Sequence, residues 1–467
     1  MSNWIHATLQ DICLNEKGSI ISGPFGSNIS SKFFVDAGVP VIRGNNLSLS
    51  LDKFFDDGFV FLTQEKADEL NCYAVEGDLL FTAAGTIGQV GILEAPLKYE
   101  KYVISNKQLR ARIDTNKVDL LYAYYWFSSA WMQDYFIRNN KGSTVPLISL
   151  SELKDAPISY PEGISEQRRI VAVIETLSRK IETNRSICSE LESMAKTIYD
   201  YWFTQFDFPD ADGKPYRSSG GEMEWNELLK RKIPRGWGVT TIGVVTRNYD
   251  SKRIPLSQNE RDSMKGDIPY YGATGIMDYV NRHIFDGHYV LIAEDGSVMD
   301  EKGNPIVQMI WGKTWVNNHA HVLEGCNGYS NELLYLLLHR IPVVKIMTGS
   351  IQKKINQDNL NSYRIPHTPS FIARAFSETV APMFEEIRVL QQENDELTKL
   401  RDWLLPMLMN GQATVADAEE EVIKVIPFAP QTVEVRQAAR NFGDKKTDDT
   451  ADLVKAFMRR KKNDSKA

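Results

Sequence analysis

The chain has 467 residues, of which 42% are hydrophobic and 25% charged, as in ordinary folded proteins, and its length favours two or three domains. The net charge of −7 excludes a uniformly basic surface, so nucleic-acid contact must depend on local basic runs such as Lys98–Arg112 and Arg340–Arg364. Four scattered cysteines argue against a disulfide framework, and the sequence shows neither a signal peptide nor a long apolar run. We therefore expect a cytoplasmic protein without a membrane segment.

Residues 1–161 are expected to form a sheet-rich domain. Short apolar runs broken by Gly, Pro and Asn, such as Val39–Asn46 and Asp78–Gly85, predict short strands joined by tight turns. An amphipathic pattern predicts one helix near Leu120–Arg138.

A long helix is predicted for residues 162–206. From Ser165 to Phe203 the apolar residues alternate at four- and three-residue spacing, which is the pattern of a coiled-coil seam. The predicted seam contains Ile174, Leu177, Ile181, Asn184, Leu191 and Ile198. Two separate helices, each packed on its own domain, remain an alternative. Residues 207–233, rich in Gly, Pro, Asp and Ser, are predicted to be a linker.

The second half of the chain repeats this plan. Gly142–Pro161 returns as Gly349–Pro369, and a Trp opens each copy, at Trp4 and Trp237. Residues 234–369 are therefore predicted to form a second sheet-rich domain, with a helix near Asn331–Thr348.

A second long helix is predicted for residues 370–411, because the coiled-coil spacing recurs there. Its predicted seam contains Met383, Ile387, Leu390, Asn394, Leu397 and Leu404. Residues 412–467 contain the acidic run Glu419–Glu421 and the basic run Arg459–Lys462, which favour a charged extension outside the main cores.

Several motifs in order give the sequence a family resemblance. They include GPFGS (Gly23–Ser27), GDLLFTAAGTIGQVGI (Gly77–Ile92), SEQRRIVAVI (Ser165–Ile174), NNHAHVL (Asn317–Leu323) and LLPMLMNGQ (Leu404–Gln412). From Trp4 to Gly411 the chain resembles the specificity subunit of Type I restriction–modification systems.

The resemblance implies an α+β fold with two target-recognition domains in tandem repeat, separated by two long helices that form an antiparallel coiled coil. Each domain would recognise one half of a bipartite site in double-stranded DNA. Two methyltransferase subunits would dock on the chain, and motor-nuclease subunits would join them. The resemblance places S-adenosylmethionine in the methyltransferase partner and implies no cofactor, metal or catalytic residue in this chain.

An antiparallel coiled coil allows a specific register to be predicted. A buried Asn is least costly opposite another Asn, so we place Asn184 opposite Asn394. This register pairs Ile174 with Leu404, Ile181 with Leu397, Leu191 with Ile387, Trp202 with Phe376, and Leu177 with Arg401.

Candidate DNA contacts are polar and basic residues on loops, because base edges and phosphates need hydrogen-bond donors and acceptors on a rigid support. In the first copy they are Ser27, Arg43, Asn45, Asn46, Ser105, Lys107, Lys141, Ser143 and Thr144. In the second copy they are Tyr271, Thr274, Ser297, Asn317, Asn318, His319, Ser350, Lys353 and Lys354. For any single loop, a purely structural turn is an equally open interpretation.

Enzymatic interpretations find little support in the sequence. There is no N/D-P-P-Y/F loop of an adenine methyltransferase and no G-x-G-x-x-G turn, and the GKT at Gly312–Thr314 lacks the earlier Gly of a phosphate-binding loop. His319 and His321 alternate along a predicted strand and so make a poor shared metal site. Two other functions remain open: a coiled-coil adaptor that binds only proteins, and a self-sufficient modification enzyme.

Overall fold

The structure is a computed structural model that describes residues 3–142, 145–300, 302–349 and 353–426. These residues form two compact units. The first unit contains the chain up to Thr183 together with the segment from Glu393 onwards, and the second unit is Asn184–Gln392. Each unit therefore combines one sheet-rich region with part of both long helices.

The sheet-rich region of the first unit is built from short strands, as predicted. The strands are β1 Trp4–Thr8, β2 Ile20–Ser22, β3 Val39–Ile42, β4 Val60–Leu62, β5 Tyr73–Ala74, β6 Asp78–Thr82, β7 Val90–Ile92, β8 Tyr102–Ile104, β9 Gln108–Arg112 and β10 Pro157–Pro161. The helices are α1 Leu9–Ile12, α2 Gln64–Leu70, α3 Leu120–Ser128, α4 Ala130–Arg138, α5 Leu150–Lys154 and α6 Ile164–Tyr199. Two four-stranded sheets have the orders β2-β9-β6-β7 and β4-β3-β8-β5, and β1 pairs antiparallel with β10.

The second unit repeats this arrangement. Its strands are β11 Met223–Asn226, β12 Arg231–Pro234, β13 Gly238–Thr241, β14 Thr246–Asn248, β15 Lys265–Tyr271, β16 Ile276–Val280, β17 Phe285–Ala293, β18 Val307–Val316, β19 Ala320–Gly325, β20 Met347–Thr348, β21 Lys354–Ile355 and β22 Arg364–His367. The remaining helices are α7 Ile242–Val245, α8 Gln258–Ser263, α9 Asn331–Leu338, α10 Gln357–Ser362, α11 Ser370–Met409 and α12 Val415–Val425. A six-stranded sheet has the order β14-β19-β17-β18-β15-β16, and β13 pairs with β22 as β1 does with β10. The predicted α+β tandem repeat is confirmed.

The repeat extends to individual backbone hydrogen bonds. The amide of Ser105 donates to Ile42 at 3.0 Å and that of Ala83 to Lys107 at 2.7 Å; in the second unit Asn317 donates to Tyr271 at 3.1 Å and Glu294 to His319 at 2.8 Å. These bonds establish residue-by-residue equivalence between the loops of the two units.

Two predicted helices are shorter than expected. The helix predicted near Leu120–Arg138 is divided at Ser129, which has extended backbone angles, into α3 and α4. The helix predicted near Asn331–Thr348 ends at Leu338. The second interruption has a visible cause, because Pro342 disfavours helical angles in the residue before it.

The two long helices pack against each other in antiparallel directions. In the second unit, Cys188 Sγ of α6 lies 3.9 Å from the carbonyl oxygen of Ile387 in α11. In the π-helical turn Asp200–Thr204 that follows α6, the ring of Trp202 lies 5.5 Å from that of Phe376, which comes earlier in α11. Later residues of the first long helical segment therefore contact earlier residues of the second, as expected for antiparallel helices. The predicted pairing of Trp202 with Phe376 is confirmed.

The other predicted seam residues take part in the two cores. In the first unit, Ile174, Leu177, Ile181, Leu397 and Leu404 share one hydrophobic core. In the second unit, Ile198, Met383, Ile387 and Leu390 are buried in the other core, and Leu191 packs against it. Asn184 and Asn394 belong to different units, so their pairing stays a prediction.

The predicted linker, 207–233, is partly ordered into a β-hairpin. Strands β11 and β12 pair antiparallel within it. Phe208 is buried, and its ring stacks on Trp237 at 5.4 Å. Aromatic burial therefore ties this segment to the second unit.

The prediction that 412–467 lies outside the main cores is wrong for its first part. Helix α12 is capped by Thr414, whose side chain accepts a hydrogen bond from the amide of Asp417. Val415, Ala418 and Val422 are buried in the first core, because their spacing places them on one face of the helix. Residues 427–467 lie outside the described residues. Within the described ranges, no helix is long and apolar enough to cross a membrane.

Candidate nucleic-acid interface

In the first unit, the predicted loops lie together at one end of the sheets. Together with the neighbouring turn 82–86, they form what we call the first recognition end: residues 23–27, 43–46, 82–86, 105–107, 141–142 and 145–147. Arg43, Asn45, Ser105 and Lys107 line a common cavity of about 550 Å³. The loop 23–27 packs closely on this cavity wall, since a Cβ on Gly23 would lie 1.8 Å from the carbonyl oxygen of Ser105.

The basic loop near Lys141 joins the same end. The amide of Gly85 donates to the carbonyl oxygen of Pro146 at 3.0 Å, which fixes this loop beside the turn 82–86. Gly85 has a φ of 98° and its counterpart Gly296 a φ of 74°, so both turns need a residue that tolerates left-handed angles. The predicted contacts Ser143, Thr144 and Ser350 lie outside the described residues.

The second unit gathers its predicted loops in the equivalent place. We call residues 271–274, 294–297, 317–319 and 353–354 the second recognition end. A β-bridge between Asp295 and Lys354 matches the bridge between Ala84 and Leu147 in the first unit. The described parts of the predicted loops therefore lie together in each copy, and their contact with DNA stays a prediction.

Three predicted contact residues are buried with their side-chain polar atoms already engaged within the protein. Asn46, Ser105 and Asn317 have exposed fractions of 0%, 7% and 2%. The side-chain amide of Asn46 donates to the carbonyl oxygens of Phe55 and Asp57, at 2.9 and 2.8 Å. These three predictions need correction, because the residues hold their own loops in shape.

The buried Asn317 shows the same loop-holding role. Its Oδ1 accepts a hydrogen bond from the amide of His319 at 2.8 Å, and its amide faces the sulfur of Met277. The other described candidates lie at the surface. Ser27, Asn45, Lys107, Lys141, Thr274, Ser297, Asn318, His319 and Lys354 are exposed, whereas Arg43, Tyr271 and Lys353 are half-buried.

Sequence reasoning missed a glutamine that holds the main loop of each recognition end. Gln89 donates to the carbonyl oxygens of Gly44 and Leu47, at 3.1 and 2.9 Å. Gln308 donates to those of Gly272 and Ala273, at 3.2 and 3.0 Å. The available signal was a glutamine beside apolar residues, because Gln89 directly precedes β7 and Gln308 is the second residue of β18.

Behind the second recognition end lies a buried network of charged residues. His321 Nδ1 donates to Asp250 at 2.5 Å, and its Nε2 donates to the carbonyl oxygen of Ile355 at 2.8 Å. Arg253 donates to Glu294 at 2.7 Å, and Lys354 Nζ lies 2.8 Å from the same carboxylate. This arrangement links four separate segments of the second unit.

The network shifts the ionisation of its members. Burial alone would lower the pKa of His321, but the hydrogen bond and charge of Asp250 outweigh it and raise the pKa above its ordinary value. Both ring nitrogens face acceptors, which is the arrangement that suits an imidazolium. Burial would raise the pKa of Glu294, but Lys354 and Arg253 lower it.

Asp250, Glu294 and His321 bring one donor atom each to within 4.8 Å of one another, a spacing that could hold a metal ion. Their charges, however, are already compensated. Arg253 contacts both carboxylates, and Lys354 contacts Glu294. The geometry thus supports an internal ion-pair network that stiffens the loops.

His319 lies outside this network, as predicted from its alternation with His321. Its side chain is 48% exposed, and its Nδ1 donates to Asp295 at 2.5 Å. The hydrogen-bond pattern makes His319 the counterpart of Lys107. Both recognition ends thus carry an exposed nitrogen-bearing side chain at the same position.

Comparison with known proteins identifies relatives over most of the chain. The family described as "Type I restriction modification DNA specificity domain" matches residues 1–193 and 234–399. The Type I restriction enzyme MjaIX specificity subunit of Methanocaldococcus jannaschii is 26% identical over 73% of this chain and 79% of its own length. The Type I restriction enzyme HindI specificity subunit of Haemophilus influenzae is 21% identical over 88% of this chain and 100% of its own.

Among solved structures, the S subunit of a Type I restriction–modification system from M. genitalium is similar to this chain. The identity is 17% and the TM-score is 0.48, over 87% of this chain and 96% of that one.

Proposed function

Since the chain belongs to the family of Type I restriction enzyme specificity subunits, we propose that it recognises a bipartite double-stranded DNA target, with one half-site for each recognition end. The observation that carries this proposal is the pair of equivalent ends with different side chains. Lys107 corresponds to His319, and Ala83 corresponds to Glu294. Loops held by equivalent backbone hydrogen bonds but carrying different side chains are suited to two half-sites of different sequence.

We propose further that the chain is the non-catalytic part of an adenine-methyltransferase and endonuclease complex in the cytoplasm. In this proposal two methyltransferase subunits dock on it and bring S-adenosylmethionine, and motor-nuclease subunits join them. The chain itself supplies recognition.

The long helices are proposed to set the distance between the half-sites. Helix α6 has 36 residues, which is about 54 Å at roughly 1.5 Å per residue. One turn of DNA is about 34–36 Å, so a spacer of this length accommodates two domains on one duplex. Inserting a helical turn in both helices should change the spacing between half-sites and leave their sequences unchanged.

The decisive experiment maps the target. The chain is co-expressed with its methyltransferase partner, and the methylated motif is found by sequencing modified DNA. Variants Lys107→Ala and His319→Ala are then compared, because they occupy the same position at the two ends. Each should alter preference or affinity at one half-site only.

Three outcomes would contradict the proposal in different ways. A complex that binds no DNA would support the protein adaptor, and methyl transfer by the isolated chain would support a self-sufficient enzyme. A change at both half-sites from either variant would refute the assignment of one half-site to each unit.

A further inference from the structure

The cavity at the first recognition end contains a polar group that is not among the predicted DNA contacts. Gln108, the first residue of β9, lines this cavity together with Arg43, Gly44 and Thr82. Its exposed fraction is 1%. A Cβ on Gly44 would lie 3.9 Å from Gln108 Nε2, so the absence of a side chain there keeps this part of the cavity open.

The orientation of the Gln108 amide follows from its neighbours. The amide of Lys107 donates to the hydroxyl oxygen of Ser105 at 3.4 Å, which leaves the hydroxyl proton free to donate. That hydroxyl donates to Gln108 Oε1. The Oε1 atom is therefore occupied by Ser105, and the donor atom Nε2 lies beside Gly44 of the cavity wall.

Two donors on this cavity lack a partner. Among the described residues, Gln108 Nε2 and Arg43 Nε are buried and have no hydrogen-bond acceptor. The rest of the Arg43 guanidinium is anchored, since Nη2 donates to the carbonyl oxygen of Gly58 at 3.1 Å. A buried donor without an acceptor is costly, so both groups favour a ligand that brings acceptors.

We propose that Gln108 and Arg43 determine specificity for a guanine in the half-site bound by the first unit. This inference rests on the proposed function. Guanine presents two neighbouring acceptors, N7 and O6, in the major groove, whereas each other base presents at most one acceptor there. A phosphate also offers acceptors to the Arg43 guanidinium, but the neutral Gln108 amide adds no charge to attract it.

The second unit has no amide side chain at the position equivalent to Gln108. The position equivalent to Gln108 is Ala320, because Lys107 and His319 accept equivalent hydrogen bonds just before it. The two half-sites should therefore differ at the base that Gln108 contacts.

The test uses the complex with its methyltransferase partner and the mapped target. Each guanine of the first half-site is replaced in turn by 7-deazaguanine, which removes N7 alone. At one position the wild-type affinity should fall roughly 10- to 100-fold. Gln108→Glu, which replaces the donor by an acceptor, should bind natural DNA with a similar loss and be insensitive to 7-deazaguanine at that position. Gln10→Glu, which adds the same charge at an exposed position outside the cavity, should bind like the wild type.

Two results would overturn the inference while leaving the proposed function intact. One is a first half-site whose guanines all tolerate 7-deazaguanine, a measurement on the wild type that holds even if the variant does not fold. The other is a Gln108→Glu variant that weakens all sequences equally, as expected for a phosphate contact. Failure of the wild-type complex to bind any specific sequence would instead refute the proposed function itself.

Discussion

The two recognition ends share a backbone arrangement but differ in what lies behind their loops. In the first unit, the loops rest on neutral groups, such as Gln108 and Ser105, and on apolar residues. In the second unit they rest on a buried ion-pair network around Glu294 and His321. The equivalent positions are Ala83 and Glu294, Leu109 and His321, and Leu147 and Lys354.

This difference shows which interactions the repeat depends on. The loops are positioned by backbone hydrogen bonds and by the Nε2 groups of Gln89 and Gln308, which donate to backbone carbonyl oxygens. Such bonds do not depend on the neighbouring side chains. The surrounding residues can therefore change from apolar to charged while the loops keep their places.

The largest expected effect comes from breaking the network of the second unit. Arg253→Met would leave Asp250 and Glu294 buried with less compensating charge, and should destabilise the protein by about 3–5 kcal/mol. Urea unfolding measures the loss. Arg247→Met is the control, because its pair with Glu324 is exposed to water and should contribute far less to stability. Equal losses in the two variants would contradict the proposed role of the network.

The next effect tests what the two ends share. Gln89→Ala and Gln308→Ala each remove two hydrogen bonds to a loop, and each should cost about 1–3 kcal/mol. Amide hydrogen exchange should become faster in residues 43–47 of the first variant and 271–275 of the second. If only one variant loosened its loop, the two glutamines would not share the role of holding the loop.

His321 should make the stability of the second unit depend on pH, and the first unit has Leu109 at the equivalent position. The pKa of His321 is raised from an ordinary value of 6.5, so the stability it contributes is complete below pH 6.5 and is lost as the pH rises through the raised pKa. His321→Leu introduces the residue found in the first unit. The difference in unfolding free energy between wild type and variant should therefore shrink as the pH rises above 6.5. A difference that grows with pH would show that the protonated form is not the stabilising one.

The smallest effect concerns the exposed pair of Lys141 and Glu152, whose charged atoms lie 3.5 Å apart. Lys141→Gln should change stability by less than about 1 kcal/mol, because such pairs are screened by water. Its effect on DNA is expected to be a reduction of about 1 in the slope of log affinity against log salt. Lys17→Gln, an exposed lysine that does not line the cavity, is the control and should leave the slope unchanged.

The sequence alone determined the features that depend on local patterns. Alternating apolar runs indicated the strands, the four- and three-residue spacing indicated both long helices, and the return of Gly142–Pro161 at Gly349–Pro369 indicated the repeat. The order of motifs indicated the family. Helix and strand periodicity are local signals, because each is a spacing of apolar residues that lie close together in the sequence.

Only the tertiary structure decided which loop residues face outward and which hold the loops. Asn45 is exposed and its neighbour Asn46 is fully buried, although the sequence makes them equal candidates. Asp250, Glu294 and His321 are far apart in the chain and meet only because three strands bring their ends together. The charged sequence after Gln412 gave no sign that α12 packs on the first core. Burial and ion pairing depend on distant partners, and a one-dimensional pattern does not contain those distances.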